Sequence, residues 1–599
     1  MIWPSAEGVG LATTALREMW DKSRRIVLLG EWCTIYRSGA GPACHEVLPF
    51  VWKDLDTVER AIGYCEQVYA RALCALTERL NVIHGTDQDQ HYYRILLGNW
   101  LLYFVQIIYD RFLAITAAIN YYPQLATCML DEEQYYIPLE GNDFMRMIGF
   151  DEYNLQLYSQ ICRILGYNFP SRKLASPLRQ SVRYTLNARF KDRCISLAGP
   201  LGSYLAAKIH DKYAVITDDC FKYSGYRNRA RMSIRSGGRC VYEPMRYSID
   251  VPVCIDRSLR DEPLAGIGEG RFETVLARLI MSELPFMYLE GYEEYRRQVR
   301  RLDLPIPALV FTQLGLYGNP ILKMHVAEHF REMHVACMQH GGGYGIEKDF
   351  ATERWERAVS NTFYTWGWGQ DRLPMPLRVR RKPPRERGGL LVMTAMPRFV
   401  YRLGLTCASG PNYLTEYLDF TNRFLNAIDR GYPLKIRTVP GHDYEWHVRE
   451  RLSDEVRREV TFEGSGRHFD QLLHDYELNI FDHAHTAYLE SLALNRPTVI
   501  YISPRIYRFS ESAQPFFDRL ADAGILHHSP ERAAGHCNEI AGDPTAWWCR
   551  SGVQEARQAF VERFANTSAD WIGDWICEFS RVLRCKSVSP GRVPNMEED

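Results

Sequence analysis

The stretch HVACMQHGGGYG, residues 334–345, carries the strongest signal for the fold. An apolar strand runs into four glycines within five residues, and His340 stands at the start of the turn. Glycines in that position let the backbone turn sharply and approach a ligand closely, and their free N–H groups can cradle an anion. No Gly-Lys-Ser/Thr sequence follows, so the turn is not a Walker A loop and ATP hydrolysis is disfavoured. We therefore expect Gly341, Gly342 and Gly343 to bind the phosphate of a ligand.

His340 has several open interpretations. It can donate a hydrogen bond to a phosphate or a sugar hydroxyl, or act as an acid or base near neutral pH. A histidine at a strand end is also often a satisfied polar residue, and the glycines can be a structural turn and nothing more. His340 is therefore a candidate catalytic residue, with those alternatives beside it.

A second strand-to-helix junction lies in the sequence NIFDHAHTAYLESLAL, residues 479–494. Thr486 opens the helical part, where orphan amides and the positive end of the helix dipole favour phosphate. Asp482, His483 and His485 directly precede it, and the four side chains together are a predicted phosphate clamp. As zinc ligands these side chains would be badly spaced for one helix face, and threonine is a poor zinc ligand, so a metal is not expected here.

Glu490 lies one helical turn beyond Thr486, where it could reach a ribose or sugar hydroxyl. The alternative is an ordinary helix N-terminus followed by a surface acid. The junctions at residues 334–345 and 479–494 both suit phosphate binding and lie in two different α/β halves of the chain. Together they predict a nucleotide-linked substrate held between domains.

Length and composition set the outer bounds. A chain of 599 residues exceeds what one hydrophobic core usually supports, so two or more domains are expected. The net charge of −1 gives no overall attraction to nucleic acid, and no nucleic-acid partner is predicted. The 16 cysteines are scattered, and Cys33, Cys44 and His45 match no standard zinc spacing. Neither a metal nor a cofactor is predicted.

The N-terminal sequence lacks a basic region followed by an apolar core, so it does not predict a signal peptide. The most apolar run, Ile95–Tyr109, is shorter than the ~20 residues that a bilayer crossing needs. We therefore expect a cytoplasmic protein.

Apolar strands and helical patterns alternate in two parts of the chain. A predicted helix at Thr13–Lys22 comes first. Strands are predicted at residues 25–30, 308–315, 335–338 and 361–369, and then at 389–395, 433–439, 460–463, 478–481 and 498–502. Such alternation favours parallel sheets. The predicted fold class is α/β, with two Rossmann-like domains in a GT-B arrangement.

The predicted domain bounds follow composition. Residues 1–370 are expected to form an N-terminal Rossmann-like acceptor domain with a large helical insertion at about residues 50–300. Residues 371–388 carry four prolines among arginines and a lysine, which neither a helix nor a central strand tolerates, so they predict an interdomain linker. Residues 389–585 are the predicted nucleotide-sugar-binding domain with closing helices, and residues 586–599 a loose tail.

Three further charged residues are candidates. Arg398 follows the first strand of the second domain, and Arg437 lies within another strand of that domain. Burying an unpaired arginine is costly, so its charge must either reach solvent at the edge of the sheet or pair with an anion. Both arginines are therefore predicted contacts to phosphate or to a sugar carboxylate. Glu31 ends the first strand and is a candidate base for the acceptor hydroxyl, with a packing or capping role as an equal alternative.

Several motifs together resemble one known family. They are TTAL at 13–16 with Trp20, LGEWC at 29–33, RILLGNWL at 94–101, QHGGGYG at 339–345, FYTWGW at 363–368, TAYLE at 486–490 and NRPT at 495–498. The set resembles a bacterial transferase family of O-antigen and surface-carbohydrate gene clusters, often linked to nonulosonic-acid pathways. The resemblance spans nearly the whole chain and implies transfer of an activated sugar to a growing surface glycan. A more distant similarity, in the GT-B plan only, to CMP-Kdo and CMP-sialic acid transferases favours a CMP-linked donor.

A basic stretch at Lys222–Arg239 contains no acidic residue. It is either a solvated loop or a docking surface for a phosphate-bearing acceptor or a lipid headgroup, which would give a peripheral contact with the inner membrane face.

The predicted function is metal-independent transfer of a sugar, of the nonulosonic-acid or Kdo-like kind, from a nucleotide donor to a glycan or lipid-linked acceptor. Two alternatives stay open: a sugar-nucleotide epimerase or hydrolase of the same fold, and a non-catalytic nucleotide- or glycan-binding scaffold.

Overall fold

The computed structural model describes residues 8–36, 45–186, 201–217, 225–245, 247–348, 350–377, 383–394, 397–404, 411–439 and 446–585. The strands are β1 Gly10–Ala12, β2 Ile26–Leu28, β3 Glu46–Val47, β4 Met129–Leu130, β5 Ser171–Arg172, β6 Arg183–Leu186, β7 Ala214–Ile216, β8 Cys240–Tyr242, β9 Ile249–Pro252, β10 Leu309–Thr312, β11 His334–Met338, β12 Thr362–Tyr364, β13 Glu386–Val392, β14 Leu434–Arg437, β15 Thr461–Phe462, β16 Tyr476–Phe481, β17 Thr498–Tyr501 and β18 Leu526–His527.

The first eleven helices are α1 Leu55–His84, α2 Gln90–Leu96, α3 Gly98–Tyr121, α4 Gly141–Met147, α5 Asp151–Ile164, α6 at residues 201–209, α7 Gly225–Arg235, α8 Arg271–Glu283, α9 Tyr292–Arg301, α10 Gly315–Gly318 and α11 Pro320–His329. The remaining helices are α12 Ala351–Ala358, α13 Pro411–Ala427, α14 Val448–Glu455, α15 Phe469–Asp475, α16 Thr486–Ala493, α17 Gln514–Asp522, α18 Pro530–Ile540, α19 Pro544–Trp548, α20 Ser551–Phe564 and α21 Trp571–Arg584.

The second half is built on a six-stranded parallel sheet in the order β15-β14-β13-β16-β17-β18. Numbered from its own first strand, this is the order 3-2-1-4-5-6 of a doubly wound Rossmann sheet. Its central strands are fully buried, as Leu390, Ile480 and Val499 show, because helices cover both faces. The strand order reverses between β13 and β16, and the carboxyl ends of those two strands form the crevice where such sheets bind ligands.

The first half contains a five-stranded parallel sheet in the order β12-β11-β10-β7-β8. Counted from β7, the order is 2-1-3-4-5, a second doubly wound pattern. The glycine-rich turn at residues 341–345 follows β11 at the carboxyl edge of this sheet. The predicted α/β fold with two Rossmann-like sheets is confirmed.

The N-terminal residues differ from the prediction. Residues 25–30 do not join the five-stranded sheet, because β2 pairs with β1 and β3 in a separate three-stranded parallel sheet. The predicted helix at Thr13–Lys22 is only a single 3₁₀ turn at Arg17–Met19. The predicted insertion at residues 50–300 is helical at first, but it also contains β7 and β8, which belong to the main sheet. Strands of three residues give too short an apolar run to be distinguished from a buried helix segment.

The long helix α3 is the centre of the helical layer. It is long and apolar enough to cross a membrane by length and composition, but 72% of its most apolar window is buried inside the protein. The core helix of a globular protein has the same properties.

The final helix, α21, packs on the five-stranded sheet of the first half. Trp575 and Phe579 of α21 pack on Phe311 of β10, with ring centroids 5.1 and 4.9 Å apart, and the indole of Trp575 donates to the carbonyl of Pro374 at 3.0 Å. The predicted second domain of residues 389–585 includes α21, whereas the structure packs this helix on the first sheet. The predicted linker contains the start of β13, because that strand begins at Glu386. The predicted tail lies outside the described residues.

Candidate functional site

The glycine turn after β11 and the start of α16 contact one another. A β-carbon added at Gly342 would lie 2.5 Å from the carbonyl oxygen of His485 and 3.0 Å from the amide nitrogen of Thr486. Ser510, beyond β17, donates its amide to the carbonyl of Ile346 at 2.7 Å and closes the other side of the turn. The carboxyl edges of the two sheets therefore meet at the two junctions that the sequence singled out, which is the facing arrangement of a GT-B protein.

Backbone amides at this contact have no partner within the described residues. Gly341, Gly342 and Gly343 donate no backbone hydrogen bond there, nor do Thr486 and the two residues after it. The residue before α16, His485, provides no side-chain cap for the helix. Buried amides are normally paired, so unpaired amides from both sheets at one place suit a bound anion.

His485 adds a side chain to these amides. Its Nδ1 lies 3.2 Å from the hydroxyl of Thr394, at the end of β13. Burial, with help from His483 and Arg402, holds the pKa of His485 well below its usual value, so the ring is neutral near pH 7. Its buried Nε2 has no partner among the described residues. If the Thr394 hydroxyl donates to Nδ1, the proton lies on Nε2, which can donate to an oxygen of a ligand.

Asp482 and His483 are engaged within the protein. The carboxylate of Asp482 accepts from the amide of Thr394 at 3.2 Å and contacts Nδ1 of His483 at 2.8 Å, and it also accepts from the hydroxyl of Tyr417 on α13. The two side chains are almost fully buried. They therefore fix the geometry of the turn that leads into α16, and their predicted contact with a donor phosphate stays a prediction.

Arg398 is also engaged elsewhere. Its guanidinium donates to both carboxylate oxygens of Asp151, at 2.8 and 2.7 Å, and to the carbonyl of Trp32 at 2.8 Å. This ion pair is buried and joins the second half to α5 and the N-terminal sheet. Within the protein the anionic partner of Arg398 is Asp151, and the predicted contact of Arg398 with phosphate or a sugar carboxylate stays a prediction.

Arg402 brings positive charge to the junction instead. It is near enough to His485 to lower that pKa, and near enough to Tyr317 of the first half to favour the ionised form of that phenol. The guanidinium also lies over the ring of Phe350 at 5.6 Å. Arg402 therefore stands between the two halves, within electrostatic range of His485.

Arg437 is the last residue of β14. In the sheet, one strand, β13, separates β14 from β16, the strand that precedes α16. It is half-buried, which lowers its pKa, and it lies over the ring of Phe469 at 5.5 Å. Its guanidinium makes no hydrogen bond or ion pair with the described residues, so its predicted role as an anion contact stays open. Glu490 is buried within α16 with only 2% of its surface exposed, and its predicted contact with a ribose stays a prediction.

His340 stands at the first sheet's side of the junction. Its Nδ1 lies 2.8 Å from the hydroxyl of Tyr344 and 3.4 Å from the carboxylate of Glu356. Burial raises the pKa of Glu356, while His340 and Tyr344 act against that rise. Glu356 is 1% exposed, and a buried carboxylate with so few partners holds the imidazole in one orientation.

Gln339 fixes the turn itself. Its side-chain oxygen accepts from the amide of Trp366 and from the indole of Trp368, both at 2.8 Å, and its side-chain nitrogen reaches the carbonyl of Gly341 at 3.4 Å. The turn is therefore tied to the segment after β12.

Glu31 contacts the second half, and its predicted role as a base stays a prediction. It opens a 3₁₀ turn after β2, and the hydroxyl of Thr415 on α13 donates to its carboxylate. Burial raises the pKa of Glu31, while that hydrogen bond and Arg451 oppose the rise. Among the described residues no group of three His, Cys, Asp or Glu side chains is placed to hold a metal ion.

The sequence profile of the LIC12162 family of transferases matches residues 9–579, almost the whole chain. The chain belongs to the LIC12162 transferase family. No curated protein matches the sequence significantly.

Solved structures show only a weak likeness to this transferase. A Staphylococcus aureus MnaA complex with UDP has 8% identity and a TM-score of 0.33, covering 63% of this chain and 98% of that one. The glycosyltransferase SnogD from Streptomyces nogalater has 13% identity and a TM-score of 0.30, covering 65% and 96%. A glycosyltransferase from Rickettsia africae has 10% identity and a TM-score of 0.31, covering 63% and 100%.

Several site residues of the transferase were missed by sequence reasoning. They are Thr394, Arg402, Tyr417, Gln339 and Glu356. Gln339 directly follows a predicted strand and Thr394 lies near the carboxyl end of another, which was an available signal, since ligands bind beyond strand carboxyl ends. The other three depend on contacts between distant segments, which the strand order and the meeting of the two sheets create.

Proposed function

We propose that this transferase moves a glycosyl group from a nucleotide-linked donor to a glycan or lipid-linked acceptor, with the donor phosphate held where the glycine turn meets α16. The observation that carries the proposal is the set of unpaired amides that both sheets contribute to one place. A phosphate bound there would receive hydrogen bonds from Gly341–Gly343 and from the first turn of α16. The positive end of the helix dipole adds to them.

The same groups explain how the leaving phosphate is stabilised. As the bond between the anomeric carbon and the phosphate oxygen breaks, negative charge grows on the phosphate. Fixed amides, the Nε2–H of neutral His485 and the guanidinium of Arg402 would stabilise that charge without reorganisation. Thr486 contributes a hydroxyl at the same end of the helix.

His340 is the proposed base. It would accept the proton of the acceptor hydroxyl while the acceptor oxygen attacks the anomeric carbon. Glu356 and Tyr344 would hold the imidazole in position for that transfer. Glu31, which accepts a hydrogen bond from Thr415 of α13, is the second candidate base, since burial raises its pKa and makes the carboxylate a better proton acceptor.

The substrate details are part of the proposal. A CMP-linked donor and a nonulosonic-acid or Kdo-like sugar fit the predicted family context of surface-carbohydrate assembly, and Arg437 would contact the sugar carboxylate. The acceptor would be a surface glycan built on the cytoplasmic side of the membrane. The protein groups around the phosphate supply positive charge of their own, so we propose that no divalent cation is needed.

Product analysis tests the activity. The enzyme is incubated with CMP-, UDP- and GDP-linked sugars, with and without a glycan acceptor, in buffer containing EDTA or manganese. We expect a nucleotide product that forms in proportion to glycosylated acceptor and persists in EDTA. Free sugar formed equally without acceptor would indicate a hydrolase, an epimerised donor would indicate an epimerase, and activity restored only by manganese would contradict the metal-free mechanism.

A further inference from the structure

A second surface, at the far edge of the five-stranded sheet, combines exposed apolar and basic side chains. β8 is the edge strand of that sheet, and α6 and α7 lie against it. We call the exposed faces of these two helices the edge surface. It consists of Leu201, Tyr204, Leu205 and Ile209 on α6, and of Arg227, Arg231, Ile234 and Arg235 on α7.

The apolar part is a stripe on one face of α6. Leu201, Tyr204, Leu205 and Ile209 follow helical spacing and are 58%, 55%, 46% and 70% exposed. Ala206, on the other face, is 3% exposed. The helix is therefore amphipathic with its larger apolar side chains turned outward, the reverse of what packing against the protein requires.

The basic part lies on α7. Arg227, Arg231 and Ile234 share an exposed face, and Ile234, near the end of the helix, is 78% exposed. Arg235 is paired with Asp570 at 2.5 Å, so its charge is partly neutralised. Met232, which points the other way, is 1% exposed.

The two helices flank the same strand. A β-carbon on Gly202 of α6 would contact Val241 at 3.9 Å, and the guanidinium of Arg229 on α7 lies 3.7 Å from the ring centre of Tyr242. Neighbouring residues of a strand point to opposite faces, so the edge surface wraps around the edge of the sheet. The ends of the helices also meet, since Nε2 of His210 lies 3.0 Å from the carbonyl of Gly237.

The concentration of apolar side chains here is unusual within the molecule. Of the 14 large hydrophobic residues that are exposed in the described part of the chain, five lie on the edge surface. Contiguous exposed apolar area of this kind marks an interaction site. The sequence between residues 201 and 239 also contains eight Lys or Arg against three Asp, although the whole chain has a net charge of −1.

We propose that the edge surface docks the protein onto a lipid bilayer that carries anionic headgroups. An outward apolar stripe would enter the interfacial region, and the flanking arginines would contact lipid phosphates and anionic headgroups. The predicted basic stretch is thereby refined: its described part forms one half of a surface whose apolar half, α6, the sequence did not reveal, while Lys222 lies outside the described residues.

This docking would also serve the proposed function. α7 connects the carboxyl end of β7 to the amino end of β8, so its first residues lie on the side of the sheet where the candidate site is. A lipid-linked acceptor in the same bilayer would then be close to that site. This last point rests on the proposed function, whereas docking itself does not.

Vesicle co-sedimentation tests the docking. The full-length protein is mixed with vesicles of phosphatidylcholine alone, or of phosphatidylcholine with 30% phosphatidylglycerol, at low and high salt. We expect binding to the anionic vesicles, at least tenfold weaker binding to the neutral ones, and a decrease with salt. Failure of the wild-type protein to bind anionic vesicles at low salt would overturn the proposal, whatever sugar transfer shows.

Two variants and two matched controls locate the surface. Leu205→Asp with Ile209→Asp removes apolar contacts, and Arg227→Glu with Arg231→Glu reverses two charges. Each should lower the vesicle partition coefficient at least tenfold. The controls make the same changes elsewhere: Val82→Asp with Val182→Asp, at residues 77% and 79% exposed, and Arg519→Glu with Arg532→Glu.

Circular dichroism confirms that every variant is folded. Equal binding by surface variants and controls would overturn the assignment to the edge surface. Light scattering without vesicles examines the other occupant, a second copy of the chain: a dimer that the edge variants dissociate while vesicle binding persists would also overturn the proposal.

Discussion

At the scale of single residues, Gly342 lies where the glycine turn of the first half packs against the start of α16. Its need for glycine is steric, because Gly342 is not among the residues with positive φ, whereas Gly345 has φ of 66°. A methyl group at Gly342 would overlap the carbonyl of His485, while one at Gly341 would meet its nearest neighbour, the Thr486 hydroxyl, at 3.4 Å.

Gly342→Ala should therefore weaken nucleotide binding at least tenfold, equivalent to ~1.4 kcal/mol, since the turn and the start of α16 must separate. Gly341→Ala, one residue away, should bind within about twofold of the wild type by the same steric argument. Isothermal titration calorimetry with the preferred nucleotide measures both. Equal affinities for the two variants would mean that the glycine contact has no part in binding.

Arg398 and Arg402, four residues apart, are expected to differ in role. Arg398→Ala would leave the buried carboxylate of Asp151 without its cation, which costs about 3–5 kcal/mol of unfolding free energy. Arg402→Ala should instead reduce nucleotide affinity by about 1.5–3 kcal/mol, the contribution of one charge-assisted hydrogen bond. Urea unfolding and calorimetry separate the two effects. Loss of affinity with Arg398→Ala in a stable protein, but not with Arg402→Ala, would reverse the assignment.

At the scale of elements, Gln339 links β11, the glycine turn and the segment after β12. Gln339→Leu would leave two donors, the amide of Trp366 and the indole of Trp368, without their acceptor. We expect a loss of about 2–3 kcal/mol of stability. A double-mutant cycle with Trp368→Phe should show a coupling of about 0.5–1.5 kcal/mol between the two side chains. Additive effects in that cycle would show that the hydrogen bond in the structure does not stabilise the turn.

The same scale shows what the sequence could predict. Long helices and apolar strands such as β13 and β16 are recognisable from periodicity, and both phosphate-friendly junctions follow from local residue types. The strand order depends on pairing between distant segments, so the sequence did not reveal that the order reverses between β13 and β16. The position of Thr394 beside that reversal was therefore missed. The pairing of Arg398 with Asp151 joins residues that are 247 positions apart, and no local pattern indicates such a partner.

At the scale of the whole molecule, buried histidines make stability depend on pH. Burial lowers the pKa of His84, His91, His325 and His527 to about 4. A depressed histidine pKa means that the folded state binds the proton less well than the unfolded chain. The stability that these residues contribute is therefore complete above the unfolded pKa of about 6.5 and is lost as the pH falls through 4.

Thermal unfolding between pH 7.5 and 4 should show a midpoint that falls with acidification, and His325→Gln should make that fall less steep. His468→Gln, at an exposed histidine, is the matched control, and the fall should be less steep in the His325 variant than in this control. The same slope in the His325 variant and the wild type would show that this group is not responsible.

The central claim is that the donor phosphate binds where the two sheets meet. A crystal structure with the nucleotide that binds most tightly tests it most directly. We expect a phosphate oxygen within hydrogen-bonding distance of the Thr486 amide or of an amide in Gly341–Gly343, with Arg402 beside it. A nucleotide phosphate bound away from both turns would contradict the account.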